Sequence, residues 1–263
     1  MPDAGLTRPE QIARDCGLRL LQLSAVYESA VVPYDAPEDA LIVATLVTRQ
    51  RRFLRAAFLL ADTGQRLEAS IMVRTMLEYL IQQKWLAENP QLNYLLWMVE
   101  DLEMRLCSDL EVGGQHPDGI ADELEVMAPE VRASVEEKLE MFRERLDVLA
   151  LELGLPDVPR YPTMRDQARE VGLGYTYSLA RRFDRSSGFH PTLVALEQFA
   201  VDADADTGWT ILQDRPVERL YVDPYTVGAF MLSEALACAA RRLPQLHIEG
   251  FDETVALLET VTP

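Results

Sequence analysis

Apolar residues return every three or four positions along most of this chain, the spacing that lines one face of an α-helix. Between Pro9 and about Ala30 the recurring positions are Ile12, Cys16, Leu20, Leu23 and Tyr27, and Thr7 or Arg8-Pro9 opens the run as a capped helix start. Pro33 and Pro37 break the pattern. A second helix is expected from about Glu38 to Asp62, stopped by Thr63-Gly64, and a third from Arg66 to Glu88, stopped by Asn89-Pro90. The fourth, Gln91 to about Leu110, carries Leu92, Leu95, Leu96, Val99, Leu102 and Leu106 and runs into the breaker-rich loop 113–119. Glu130 to Leu153 reads as a fifth, with Val131, Val135, Leu139, Phe142, Leu146 and Leu149 as its apolar stripe. Glu136, Glu140 and Arg143 give it helix-surface ion pairs, so it is expected on the outside.

The stretch 154–162 holds three prolines but is too short and too apolar for a flexible tether, so it reads as a surface crossing within one domain. A short helix from Met164 to Val171 and another from Tyr175 to Arg185 follow, the second closed by Ser186-Ser187-Gly188. The period then changes: Val201 to Asp206 alternates every second residue, Thr207-Gly208 can turn, and Trp209 to Leu212 can return as a hairpin. Asp223-Pro224 supplies an N-cap and first-turn proline for a last long helix to about Arg242. The expectation is all-α: residues 1–263 as one helical-bundle domain of six to eight helices, with a small β-hairpin insert near 199–213 and the helix at about 223–243 packed on the rest.

Composition narrows the setting. Of 263 residues, 48% are hydrophobic and 26% charged, ordinary globular values that exclude a disordered chain, collagen or a coiled-coil rod. Asp+Glu 43 against Lys+Arg 25 gives a net charge of −18, which repels polyanions and anionic membranes at long range. No DNA duplex is expected as a partner, and RNA would need a local basic site. All basic residues but Lys84 and Lys138 are arginines, suited to bidentate contacts with carboxylate or phosphate. Cys16, Cys107 and Cys238, odd in number and far apart, read as reduced, buried thiols of a cytoplasmic protein. No secretory signal or membrane span is expected.

The third helix carries the first candidate chemistry. At 100° per residue from Ile71, Arg74 falls at roughly 300°, Glu78 at 340°, Ile81 at 280° and Trp85 at 320°. An i,i+4 charge pair therefore lies inside an apolar stripe, where burial is costly unless the charges answer each other or further partners. Arg49, on one face of the second helix with Ile42, Leu46, Phe53 and Ala56, is the expected partner. Two readings stay open: an internal salt bridge that fixes helix register, or a ligand site in which Arg49, Arg74 and Glu78 receive an anionic small molecule. His190 is the second candidate. Beside Pro191 and near Tyr177, Arg182 and Arg185, it could act as an acid or base at neutral pH, or be a loop histidine satisfied by a carbonyl.

Metal chemistry is not expected. Asp202, Asp204 and Asp206 mimic the start of a calcium loop, but Thr207 and Gln213 stand where its glycine and bidentate glutamate belong. Glu100, Asp101 and Glu103 lack the Glu-x-x-His pair of a di-iron bundle. The chain has no Gly-rich phosphate loop, so no cofactor is expected.

The segment Arg49 to Leu60, then Glu68-Ala69, Arg74-Thr75-Met76-Leu77-Glu78 and Trp85 to Pro90, resembles an uncharacterised bacterial all-helical family with an Arg-x-x-x-Glu pair in a central helix. Tyr177 and His190-Pro191-Thr192 look like that family's later motif, with Thr192 in place of a serine. The likeness covers about residues 40–195 and implies that Arg74, Glu78, Tyr177 and His190 converge in one site. The spacing Arg185-Ser186-Ser187-Gly188-Phe189-His190 also resembles the Arg-x(4–6)-His motif of HEPN ribonucleases, with Ser186 where that motif has Asn, Asp or His. This looser likeness implies a homodimeric, metal-independent endoribonuclease of stress or phage defence. In it His190, Arg185 and Tyr177 would be catalytic, His190 handling the proton and Arg185 holding the phosphate. Against this enzyme stand a non-catalytic helical regulatory or scaffold protein and a binding protein for an anionic small molecule.

Overall fold

The computed structural model describes residues 6–28, 38–114, 128–186, 200–204, 209–212, 223–244 and 248–261. The architecture is helical. α1 (Arg8–Leu23) is followed by a 3₁₀ turn (Ser24–Glu28), then α2 (Glu38–Asp62), α3 (Arg66–Glu88), α4 (Pro90–Gly114) and α5 (Pro129–Glu152). α6 (Met164–Glu170), α7 (Gly174–Ser186), α8 (Pro224–Arg242) and α9 (Phe251–Glu259) complete it. Between α7 and α8, β1 (Ala200–Asp204) and β2 (Trp209–Leu212) pair antiparallel, Ala200 opposite Leu212 and Val201 opposite Ile211.

Residue contacts cluster into two compact units, 1–85 with 164–263, and 86–163. In the first, α8 packs on α1 and α2, and α1 packs on α9. Small residues permit the close approach: a Cβ on Gly17 would stand 2.6 Å from Phe58 Cε2, and one on Gly228 2.6 Å from Leu54 Cδ1. The core they close holds Leu20, Leu54, Phe58, Met76, Leu232 and Leu236. Its edges are laced by ion pairs between helices. Arg14 grips Asp62 with two nitrogens at 2.9 and 2.7 Å while the Tyr225 hydroxyl donates to the same carboxylate at 2.7 Å. Arg242, at the end of α8, grips the buried Asp39 through two bonds of 2.7 Å.

α1 starts where its sequence predicts. The Thr7 hydroxyl accepts from the Glu10 amide, and the Glu10 carboxylate accepts from the Thr7 amide at 2.8 Å, a reciprocal capping box. It does not reach Ala30. Arg51, buried under the last turn, donates to the Leu21 carbonyl and to Ser24 Oγ, each at 2.8 Å, so a side chain takes the Leu21 carbonyl that a continuing helix would use, and the chain tightens to 3₁₀.

The phase of α2 differs from the expected one. Val43, Val47, Leu54, Ala57, Phe58 and Ala61 are buried with Gln50 and Arg51, whereas Arg49 is exposed. The buried face is turned by about a third of a revolution from the Ile42-Arg49-Phe53 face, because α1 and α8 cover that side.

In the second unit α4 packs on α5. Leu95, Leu96 and Leu102 meet Val135, Leu139, Phe142, Leu146 and Ala150 as its buried residues, and the Tyr94 and Phe142 rings stand edge to face at 6.0 Å. Val131 and Leu149 were expected in this stripe; Val131, in the first turn, is exposed, and Leu149 is half-buried because Ala150, four residues after Leu146, takes the inward position. Gly154 at φ 66 closes α5, and the Leu155 amide reaches back to the Ala150 carbonyl at 3.0 Å. Cys16 and Cys238 are buried free thiols, but Cys107 is free and exposed, contrary to the expected burial of all three. Its position falls on the polar side of α4. Among the described residues, no helix is long and apolar enough to cross a membrane.

Candidate functional site

Four elements bear on the site: α3, α6, α7 and the turn between the last two. Gly172 makes that turn at φ +75, a conformation other residues adopt at a cost, and the Leu173 amide bonds the Ala168 carbonyl at 2.7 Å to close α6. α6 is tied to α3 by Trp85, whose Nε1 donates to Glu170 at 2.8 Å. These constraints start α7 so that Tyr177, in its first turns, turns inward.

There it meets Arg74. The guanidinium carbon lies 5.2 Å from the centre of the Tyr177 ring, a cation–π contact, and Nη2 donates to Glu78 Oε1 at 2.8 Å. The Arg74 side chain is 8% exposed and that of Glu78 41%, so the pair runs from the protein interior outward to solvent. Ile81 and Trp85, expected in the same stripe, are fully buried beside it. A buried arginine thus has its charge answered by a carboxylate that keeps contact with water, which lowers the desolvation cost of ionising both.

Of the sequence-predicted site residues, the structure brings together Arg74, Glu78 and Tyr177. Arg49 lies exposed on α2. Arg185 belongs to the last turn of α7, and its side chain, like the whole of His190, lies outside the described residues. Among the described residues no group of three or more His, Cys, Asp or Glu could hold a metal ion.

Sequence reasoning missed a second buried polar site. Arg51 is 1% exposed and, besides Leu21 and Ser24, reaches Glu28 Oε1 at 3.1 Å, while Arg55 donates to the same oxygen at 2.8 Å. Burial pulls the Arg51 pKa below its ordinary value, and the two arginines hold the Glu28 carboxyl below its own. Next to it, Gln50 Nε2 donates to Gln83 Oε1 and Gln83 Nε2 to the Ala235 carbonyl, both at 2.8 Å, all inside the core. Burial pushes the Tyr27 hydroxyl up to about 12, so it stays protonated at neutral pH. The available signal was a Gln-Arg pair, Gln50-Arg51, flanked by apolar residues at helical spacing.

No curated protein and no solved structure matches the chain, and the HEPN likeness finds no support there. A family model does match, over residues 40–207, which includes α2, α3 and the helix bearing Tyr177. The chain therefore belongs to that family, described as a family of unknown function, DUF5677.

Proposed function

We propose that this chain is a helical regulatory or scaffold protein without catalysis of its own, in which Arg74, Glu78 and Tyr177 clamp α7 onto α3. The observation that supports this reading is the state of Arg74: 8% exposed, bonded to Glu78, with its guanidinium over the Tyr177 ring. An arginine that binds a phosphate or an oxyanion keeps its N–H fork for the incoming oxygens. Here one arm of the fork already holds a carboxylate, whose negative charge stands where an anion would approach. The anionic-ligand reading gains less from this arrangement, since Arg49 is exposed on α2. A cytoplasmic setting, as expected from the sequence, is part of the same proposal.

The test is incubation of the purified chain with total RNA without added metal, wild type beside His190→Ala. RNA left intact by both is the expected result. Cleavage by the wild type that disappears in His190→Ala overturns the reading in favour of the HEPN-like endoribonuclease, with Arg185 on the phosphate, His190 moving the proton and Tyr177 as the third catalytic residue.

A further inference from the structure

The second unit holds a cavity of about 480 Å³, a size within the range of roughly 300–1,000 Å³ of small-molecule sites. Its walls follow from helical spacing. On α4, Leu96, Val99, Glu100 and Glu103 sit at i, i+3, i+4 and i+7; on α5, Arg143, Leu146 and Asp147 sit at i, i+3 and i+4. Each helix thus brings one stripe of mixed apolar and charged residues to the same space, and the crossing Val158 to Tyr161 supplies the third wall.

The lining sorts by chemistry. Leu96 and Leu146 are buried and, with Val158 and Pro159, give an apolar surface. Arg143 and Glu103 are tied to each other across the two helices at 2.7 Å. That pair neutralises itself and leaves Glu100, Asp147 and Arg160 as the charges around the cavity. Two carboxylates stand on facing helices and one guanidinium on the crossing segment.

We propose that this cavity binds a small zwitterion with an apolar side chain, a free amino acid of the leucine or phenylalanine kind. Glu100 and Asp147 take the ammonium group, Arg160 takes the carboxylate through its planar fork, and the side chain lies on Leu96, Leu146 and Val158. A simple anion meets two carboxylates here, and a simple cation makes no use of Arg160. The ligand that satisfies both signs carries both. This site shares no residue with Arg74, Glu78 and Tyr177, so the outcome with RNA leaves the proposal untouched.

The experiment is isothermal titration of the full chain with L-leucine and L-phenylalanine, beside phenethylamine, which lacks the carboxylate, and N-acetyl-L-phenylalanine, which lacks the ammonium. Saturable binding of an amino acid, at least tenfold tighter than of either truncated analogue, is expected. Arg160→Met should weaken the amino acid at least tenfold and leave phenethylamine unchanged; Glu100→Gln should weaken both. Circular dichroism identical to wild type certifies that these surface variants are folded. No saturable binding of either amino acid, equal affinity for phenethylamine, or wild-type affinity in the folded variants would overturn the proposal.

Discussion

Replacing Arg74 by methionine removes the guanidinium while keeping an unbranched apolar stem of similar reach. The lost bond to Glu78 is charge-assisted and 2.8 Å long, a class worth about 1.5–3 kcal/mol. Because Glu78 is 41% exposed, its carboxylate recovers water when the partner goes, which places the loss near the lower end, about 1.5 kcal/mol. The contact with Tyr177 adds about 1 kcal/mol, below the value of a fully desolvated cation because the ion pair opens to water at Glu78. Arg74→Met should therefore cost about 2–3 kcal/mol, read as a lower urea midpoint at unchanged slope. Arg74→Lys, which keeps the charge but not the planar fork, should lose roughly half as much. A double-mutant cycle with Tyr177→Leu should return a coupling of about 1 kcal/mol. A folded Arg74→Met within about 0.5 kcal/mol of wild type, or a cycle with no coupling, would refute the clamp, because a residue held for chemistry alone contributes little to stability.

Two further outcomes follow from the first unit. Gly17→Ala would ordinarily favour a helix by about 1 kcal/mol, but its Cβ would collide with the Phe58 ring, itself held edge-on to Tyr225 at 5.1 Å, and overpacking costs about 1–3 kcal/mol. A lower thermal midpoint is expected, recovered in part by adding Phe58→Leu; a stabilised single variant would contradict this packing. The second concerns pH. The hydrogen bond from Arg14 above all, with that from Tyr225, holds the Asp62 carboxyl below its usual range against the opposing effect of burial. A lowered folded pKa contributes stability that is present above the ordinary Asp value of about 3.9 and is lost as pH falls through the folded one. Asp62→Asn should be less stable at neutral pH and show a shallower loss of stability below about pH 4; an unchanged acid limb in urea titrations would count against it.

The Arg74–Glu78 pair was legible because both residues sit on one helix: a spacing of four fixes their relation whatever packs outside. Tyr177 came from the motif resemblance, since a residue about a hundred positions away cannot be placed on a face of α3 by periodicity. Arg51 was illegible for the complementary reason. Arg49, Arg51, Arg52 and Arg55 crowd two turns of α2, and hydrophobic spacing admits more than one phase for that helix. The choice fell to α1, whose end offers the Leu21 carbonyl and Ser24 as acceptors, so that the inward arginine is the one with partners waiting.

The cavity in the second unit divides the same way. Its α4 and α5 stripes can be counted along the chain, yet a stripe becomes a wall only when a facing helix and the 158–161 crossing close the space. What the amino-acid sequence determined alone is local: the helical repeat, the capping box at Thr7, the glycine turns at positions 64, 154 and 172, and the charge pair within α3. Helix geometry depends on neighbours three or four residues away, and the pattern contains them. What the tertiary structure decided is which face of each helix is inside, and therefore which arginine is buried, which carboxylate it meets, and where charges of both signs gather around a hollow. Those choices depend on contacts between residues such as Asp62 and Tyr225, which lie far apart in the chain and are joined only when the core closes.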